Sequence, residues 1–187
     1  YVDVGASHPI FGNNTMFFYR KGWSGTAIEP ISEYKVLWKI FRRRDDFLCV
    51  AVSKSSSPIQ FHIFKNRLLS TANLSVSDFH LQSGLSRREI KVNTVKLSEI
   101  LPPKLDATTP FLLSVDVEGN ELEVLKTIDF KSQRPRTILV ETWQNPWISK
   151  SEAIKYLEHS CNYSLIAFTG LTAILIPDEA KFRALNL

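Results

Sequence analysis

The opening of the chain constrains its fold more than any other stretch. An apolar strand begins at Tyr1 and turns at Gly5, an amphipathic segment follows, and a second apolar strand ends on Glu29. The 24 positions from Gly5 to Glu29 are close to the ~20-residue offset at which a strand–helix–strand unit brings a carboxylate to a ribose. Glycine lets the backbone approach the ligand, and the carboxylate accepts hydrogen bonds from the ribose hydroxyls. The spacing therefore predicts a nucleoside cofactor across the ends of the first two strands.

Strands and helices continue to alternate along the chain. The pattern predicts strands over residues 1–6, 26–29, 47–52, 111–116 and 137–140, and helices over residues 16–21, 31–44, 98–101, 120–127 and 149–157. An apolar stripe is expected on the core side of the second helix, formed by Val36, Leu37, Ile40 and Phe41. Ser149 is the expected N-cap of the last of these helices. Two final strands, 163–168 and 171–176, flank a turn. This order predicts an α/β fold with a mostly parallel sheet and a closing antiparallel hairpin.

Length and composition fit one domain over residues 1–187, because 44% of the residues are hydrophobic and can form a core. The regular alternation breaks between Ser53 and Pro110. Within that stretch, residues 59–64 alternate like a half-exposed strand and residues 90–97 are extended again. We therefore expect residues 54–109 to be an insertion with its own β-hairpin, placed where a substrate cover could lie.

Charge and cysteine content narrow the class of protein. The net charge of +4 is small and dispersed, which argues against a nucleic-acid partner. Cys49 and Cys161 lie in or beside apolar runs, so we expect buried thiols in a reducing, cytoplasmic compartment, with a disulfide between them as the alternative. No apolar run approaches the ~20 residues that span a membrane, and no signal peptide is visible. Tyr1 already lies in a strand, so we expect a segment upstream of it.

Six blocks of sequence, in order, resemble the FkbM-type methyltransferases. They are Asp3-Val4-Gly5-Ala6, Asn14-Thr15, Gly22-Trp23-Ser24-Gly25, Ile28-Glu29-Pro30, Ala51-Val52-Ser53 and Val115-Asp116-Val117-Glu118-Gly119-Asn120-Glu121-Leu122. The resemblance implies a Rossmann-like class I methyltransferase with a seven-stranded sheet and helices on both faces. It also implies S-adenosylmethionine as the cofactor and a hydroxyl of a sugar or natural product as the acceptor. The usual second glycine of the first turn is Ser7 in this chain.

The resemblance assigns the first turn and the second strand to the cofactor. Gly5, Ala6 and Ser7 would line its methionine end, and Glu29-Pro30 would meet its ribose. Because an acid that ends a buried strand needs a partner, a backbone amide at the next helix start is the alternative partner for Glu29. For Gly5, the alternative is an ordinary strand-to-helix turn.

Three further residues, Asp3, Thr15 and Val52, have two interpretations each. Asp3 is expected to face the same crevice, where it would hold the methionine amino group or tie the loop together. Thr15 would support the carboxylate end of the cofactor or cap a helix. Val52 and Ser53 end the third predicted strand, where the family places the adenine, although periodicity alone makes Val52 a core residue.

Asp116 and Glu118 are the candidate catalytic acids. Positions two apart share one face of an extended chain, so both carboxylates should point into the crevice. Transfer of a methyl group to a hydroxyl requires removal of the hydroxyl proton by a base, or a metal ion that lowers its pKa. The two acids could act as base or bind a divalent cation. The alternative is that Glu118 and Gly119 are the cap and turn that start the next helix. His8 is a third candidate, with a polar surface role as its alternative.

Two clusters outside these blocks also have open interpretations. Arg42-Arg43-Arg44 could bind a phosphate or form a solvated helix end. Trp143 and Trp147 could stack on a sugar or seal the edge of the core.

Two other functions compete with O-methylation of a glycan or hydroxylated metabolite. A nicotinamide-dependent oxidoreductase shares the Gly5-to-Glu29 spacing, but it predicts neither the Asp-Val-Glu-Gly block nor a terminal hairpin. A non-catalytic module that binds the cofactor without turnover fits the same residues.

Overall fold

The computed structural model describes residues 1–142 and 151–180. The strands are β1 (Val2–Val4), β2 (Thr26–Ile28), β3 (Asp46–Leu48), β4 (Ala51–Val52), β5 (Ile59–Phe64), β6 (Arg87–Val92), β7 (Thr94–Val95), β8 (Leu112–Val115), β9 (Thr137–Glu141), β10 (Tyr163–Thr169) and β11 (Thr172–Pro177). The helices are α1 (Met16–Arg20), α2 (Tyr34–Phe41), α3 (Leu74–Gln82), α4 (Leu97–Ile100), α5 (Glu121–Leu125) and α6 (Glu152–Ser160), with a 3₁₀ turn over Arg67–Leu69. No helix in these ranges is long and apolar enough to cross a membrane.

Seven strands form the central sheet in the order β10-β11-β9-β8-β1-β2-β3. The strands from β3 to β9 along this order run parallel, while β11 pairs antiparallel with β9 and β10 antiparallel with β11. The predicted α/β fold, its mostly parallel seven-stranded sheet and its closing hairpin are therefore confirmed.

Side chains alternate between the two faces of the sheet, and each face carries helices. Val2 and Val4 of β1 pack into the large core together with residues of α4, α5 and α6. Ala27 of β2 packs on the other face against Trp38 of α2. Asp3 is the register partner of Ala27 and lies between Val2 and Val4, so it belongs to the α2 face. The prediction of helices on both faces is confirmed.

The segment between the third strand and β8 contains more regular structure than the sequence predicted. Strands β5 and β6 pair antiparallel over their whole length, and β4 pairs parallel with β7 in a separate small sheet. The polar stretch between β5 and β6 holds the 3₁₀ turn and α3, whose N-caps are the side chains of Asn66 and Asn73. The sequence analysis missed α3 because serine and aspartate interrupt its apolar periodicity.

The predicted strand over residues 47–52 is wrong in its extent. β3 leaves the central sheet after Leu48, and Ala51 and Val52 pair with β7 instead. Cys49 lies in the connection and is exposed, whereas Cys161 is buried, and both thiols are free. The expectation of two buried thiols therefore fails for Cys49, and the alternative of a disulfide is excluded.

The predicted apolar stripe of α2 does not face the core. Val36 and Ile40 are 64% and 51% exposed, while Trp38 is 1% exposed. The buried face of this helix is set instead by Trp38 and by Arg42, which is fully buried. Arg42 is therefore neither a solvated helix end nor a phosphate ligand.

Part of the sequence prediction falls on residues that the structure does not describe. Trp143, Trp147 and Ser149 lie outside the described residues. The helix expected from residue 149 begins at Glu152, and its N-cap is Ser151, whose hydroxyl oxygen accepts a hydrogen bond from the Ile154 amide at 3.3 Å.

The backbone of Asp116 lies so close to Gly5 that no side chain fits at residue 5, and a substitution there tests this packing. Its φ is +76°, and a Cβ there would lie 1.7 Å from the carbonyl oxygen of Asp116. Gly22 has a similar φ of +94° but nothing within 4 Å of its Cβ position. We expect Gly5→Ala to lower the free energy of unfolding by more than about 3 kcal/mol and Gly22→Ala by about 1–2 kcal/mol. Urea unfolding of both variants measures the difference, and equal losses would refute the close contact.

Candidate functional site

A crevice of about 730 Å³, including its open mouth, lies at the carboxyl ends of the central strands. Its position follows from the register, in which Val4 pairs with both Ile28 and Val115, and Val115 pairs with Val140. The next residue of each strand therefore falls in one row across the sheet edge: Gly5, Glu29, Asp116 and Glu141.

Glu29 lines this crevice and is 5% exposed. Its Oε1 accepts a hydrogen bond from the Ile31 amide at 2.8 Å, and its Oε2 accepts one from the Ser7 amide at 2.9 Å. Burial raises the pKa of Glu29 to about 7, and these two amides oppose the rise. The alternative partner, a backbone amide at the next helix, is therefore present. Each carboxylate oxygen keeps a second lone pair that a ribose hydroxyl could use.

The turn after β1 places Gly5 and Ser7 on the crevice wall, whereas Ala6 is buried beneath it. Ser7 has a φ of +46°, in the left-handed region that non-glycine residues rarely adopt. Its amide is bound by Glu29, and its carbonyl oxygen accepts a hydrogen bond from Trp38 Nε1 at 2.8 Å. Serine therefore adopts a left-handed backbone conformation, which favours glycine, at the position where the resemblance expects one.

Asp3 and Thr15 contact each other and do not line the crevice. Asp3 is 2% exposed, and its Oδ2 accepts hydrogen bonds from Thr15 Oγ1 at 2.7 Å and from Asn13 Nδ2 at 3.0 Å. Burial raises the pKa of Asp3, and these hydrogen bonds oppose the rise. Thr15 makes no side-chain cap of α1. The geometry favours the interpretation in which Asp3 ties the loop together, because β1 turns its side chain toward α2.

Val52 and Pro30 line the crevice beside apolar residues that include Val50 and Phe61, but Ser53 does not. Ser53 lines an adjoining cavity of about 1,060 Å³, which shares Val52, Ala72 and Asn120 with the crevice. The apolar wall suits a flat aromatic ring. Val52 reaches this wall from β4 rather than from the central sheet.

Asp116, Glu118 and Glu141 form a cluster of carboxylates. One oxygen of each lies within 4.8 Å of one oxygen of the others. Burial raises the pKa of Glu118 to about 8, and the carboxylate of Asp116 adds to the rise. Burial also raises the pKa values of Asp116 and Glu141, and for Glu141 the carboxylate of Asp116 adds to the rise. Since three like charges cannot be held this close without compensation, the cluster must keep a proton or bind a cation.

The backbone around Glu118 is strained and held from two sides. Glu118 has a φ of +56° and Gly119 a φ of +97°. The carbonyl oxygens of these residues accept hydrogen bonds, both 2.8 Å long, from Thr71 Oγ1 and Asn73 Nδ2. Glu121 accepts hydrogen bonds from the amides of residues 117 and 119. Such conformations persist only when their surroundings fix them, and here the segment before α3 supplies two of the contacts.

His8 lies outside the crevice lining. Its Nδ1 accepts hydrogen bonds from the amides of Ile10 and Phe11, both at 3.2 Å. Its ring also packs edge-on against Tyr34 at 6.1 Å. The structure therefore gives His8 a turn-forming role.

Glu141 and Glu121 were not among the predicted site residues. Glu141 ends β9 as Glu29 ends β2, so the rule that carboxyl ends of parallel strands share one edge could have found it. Its Oε2 is buried and has no hydrogen-bond partner among the described residues. Glu121 carries no such signal, because its contacts depend on the positive φ angles of the turn.

The strand order, the antiparallel hairpin at one edge and the crevice at the carboxyl ends are consistent with the Rossmann-like class of methyltransferases. A family model of the methyltransferase FkbM domain matches residues 3–165 of the 187-residue chain, and the chain belongs to this family. Comparisons with curated proteins and with solved structures gave no significant match.

The raised carboxyl pKa values predict a pH dependence of stability. Glu29 and Glu118, with pKa values of about 7 and about 8 in the folded protein, hold protons that the unfolded chain has lost above pH ~5. Stability should therefore fall as the pH rises from 6.5 to 8.5. Thermal unfolding in a chelator should show a lower Tm at pH 8.5, and Glu118→Gln should reduce this fall. The exposed Glu99→Gln is the control, and an unchanged slope in the Glu118 variant would contradict the assignment.

Proposed function

We propose that the protein transfers a methyl group from S-adenosylmethionine to a hydroxyl oxygen of a sugar or similar hydroxylated small molecule. The observation that carries the proposal is what the strand ends bring together. A glycine turn, the buried acid that follows β2, and Asp116 and Glu118 of the carboxylate cluster all border one crevice in a methyltransferase of the FkbM family.

The residues of the crevice fit this cofactor. Glu29 would accept hydrogen bonds from the ribose hydroxyls, and Pro30 lies beside it. The turn at Gly5 and Ser7 would follow the methionine end, and the apolar wall with Val52 would pack on the adenine. Asp3, Ala6 and Thr15 would act from beneath the turn, and Ser53 from the adjoining cavity.

The carboxylate cluster would handle the proton of the acceptor. S-adenosylmethionine supplies a methyl group on a sulfonium, which is already a good leaving group. The acceptor oxygen forms a bond to the methyl carbon while the carbon–sulfur bond breaks, and the bonding pair goes to sulfur. Asp116 or Glu118 takes the hydroxyl proton, and a raised pKa suits this role near neutral pH. The remaining contribution of the protein is to align the reactants.

The same carboxylates could hold a divalent cation. Oxygen ligands of this kind suit Mg²⁺ or Mn²⁺, and such an ion would lower the pKa of the acceptor hydroxyl. The proposal does not depend on a metal, and the three acids Asp116, Glu118 and Glu141 are its candidate ligands. His8, which binds backbone amides, is the weakest of the predicted catalytic candidates.

Residues 54–109 remain our candidate substrate cover. Phe61, Arg67 and Leu68 of this segment line the crevice, so its position suits contact with an acceptor. A cytoplasmic location is part of the proposal and agrees with two free thiols. Neither nucleic acid nor a membrane span enters this function.

Binding of S-adenosylhomocysteine tests the proposal directly. At ~100 times its Kd it should stabilise the protein by about 2.7 kcal/mol, which raises the Tm by about 5–10 °C. Glu29→Gln should weaken binding by about tenfold or more, since it loses a charged acceptor, while Glu99→Gln should not change it. A Tm shift with NADH alone would replace the proposal by the oxidoreductase alternative.

Substitution of the acids tests catalysis. With an acceptor that is methylated by the unmodified protein, Asp116→Asn or Glu118→Gln should lower kcat by about 10²–10⁴-fold, with little effect on S-adenosylhomocysteine affinity. Glu99→Gln serves as the control in a radiolabelled methyl-transfer assay. Unchanged kcat in both acid variants would refute their role. Binding without transfer to any hydroxylated acceptor would favour the non-catalytic module.

A further inference from the structure

The loop between β1 and α1, residues 5–15, forms one wall of the crevice. Gly5, Ser7 and Gly12 line the cavity. The loop contains two left-handed residues besides Gly5, namely Ser7 with a φ of +46° and Gly12 with a φ of +60°. A loop of this conformation needs fixed partners for its polar backbone groups.

Two side chains of the α2 region hold this loop. Trp38 and Arg42 are one helical turn apart, at i and i+4, and both are buried, 1% and 0% exposed. Trp38 Nε1 donates a hydrogen bond to the Ser7 carbonyl oxygen at 2.8 Å, and Arg42 Nη1 donates one to the Pro9 carbonyl oxygen at 3.0 Å. Both loop carbonyls are therefore bound from the end of α2, one by Trp38 within the helix and one by its C-cap residue Arg42.

Arg42 also reaches the second half of the loop. Its Nη1 donates a hydrogen bond to Asn13 Oδ1 and its Nη2 donates one to Thr15 Oγ1, each at 3.0 Å. Asn13 in turn donates hydrogen bonds from Nδ2 to the Ala6 carbonyl oxygen at 2.9 Å and to Asp3 Oδ2 at 3.0 Å. The network joins the beginning and the end of the loop through one guanidinium.

The charge of Arg42 is balanced within this network. Its Nε lies 2.7 Å from Asp45 Oδ2, and both side chains are 0% exposed. The guanidinium carbon also lies 4.6 Å from the ring centres of Tyr19 and Trp38. A guanidinium with all these partners has a fixed orientation, which suits it to hold other groups in place.

We infer that Trp38 and Arg42 are positioning residues that set the affinity of the crevice for S-adenosylmethionine by fixing the loop over residues 5–15. The inference rests on the proposed function. Neither side chain lines the crevice, so both act through the loop. Trp38 also connects the loop to Glu29, because the Ser7 amide binds Glu29 while the Ser7 carbonyl binds Trp38.

The first experiment removes the indole donor and keeps an aromatic ring. Trp38→Phe should raise the Kd for S-adenosylhomocysteine by about tenfold in isothermal titration calorimetry well below the Tm. Amide hydrogen exchange of residues 5–15 should become faster, while exchange of β8 and β9 stays the same. Trp23→Phe is the matched control, since the Trp23 ring packs on Phe18 at 5.3 Å, and its Kd should stay within twofold.

A second variant keeps the charge that Asp45 requires. Arg42→Lys should weaken S-adenosylhomocysteine binding and loosen the loop, and Arg43→Lys, at the exposed neighbouring position, should do neither. A lower Tm with unchanged Kd and unchanged loop exchange in Trp38→Phe and Arg42→Lys would overturn the inference. If the unmodified protein binds no S-adenosylhomocysteine, the proposed function fails, and loop exchange alone decides whether these side chains fix the loop.

Discussion

The carbonyl oxygen of Asp116 occupies the space that a side chain at residue 5 would need. Because Gly5 has no side chain, the turn after β1 can lie against the end of β8, and the two strands end side by side. Because the neighbouring strands are in register, the end of β2 and the end of β9 fall in the same row. The crevice lies where these ends meet, and this arrangement places Gly5, Glu29 and Asp116 on its wall.

The same row brings acidic groups together, which costs free energy unless they are neutralised or bonded. Glu29 is stabilised by two backbone amides, and Asp3 by hydrogen bonds from Thr15 and Asn13. In the cluster of Asp116, Glu118 and Glu141, burial raises all three pKa values, and the carboxylate of Asp116 adds to the rise for Glu118 and Glu141. A carboxyl group whose pKa lies close to neutral pH, as that of Glu118 does, is present in part as the carboxylate and can take a proton from a reacting hydroxyl and release it again.

Residues with strained backbone conformations lie on both sides of the crevice. Ser7 on the β1 side and Glu118 on the β8 side have positive φ angles, and each is fixed by side chains from elsewhere in the chain. Trp38 binds the carbonyl of Ser7, and Thr71 binds the carbonyl of Glu118. The crevice is therefore shaped from two directions, by α2 beneath the first loop and by the segment before α3 beside the acids.

The alternation of strands and helices, the closing hairpin and the placement of Gly5, Glu29 and Asp116 at one sheet edge could all be predicted from the amino-acid sequence. These features depend on local periodicity and on the rule that parallel strands end together. Three other features could not be predicted in this way: Asp3 turns toward α2, Arg42 is buried, and residues 51–52 leave the central sheet. Each of these depends on partners far away along the chain, such as Arg42 with Pro9 and Ala51 with Thr94. Local sequence patterns do not predict such contacts, because the free energy that stabilises the contacts comes from packing and hydrogen bonding in the folded state.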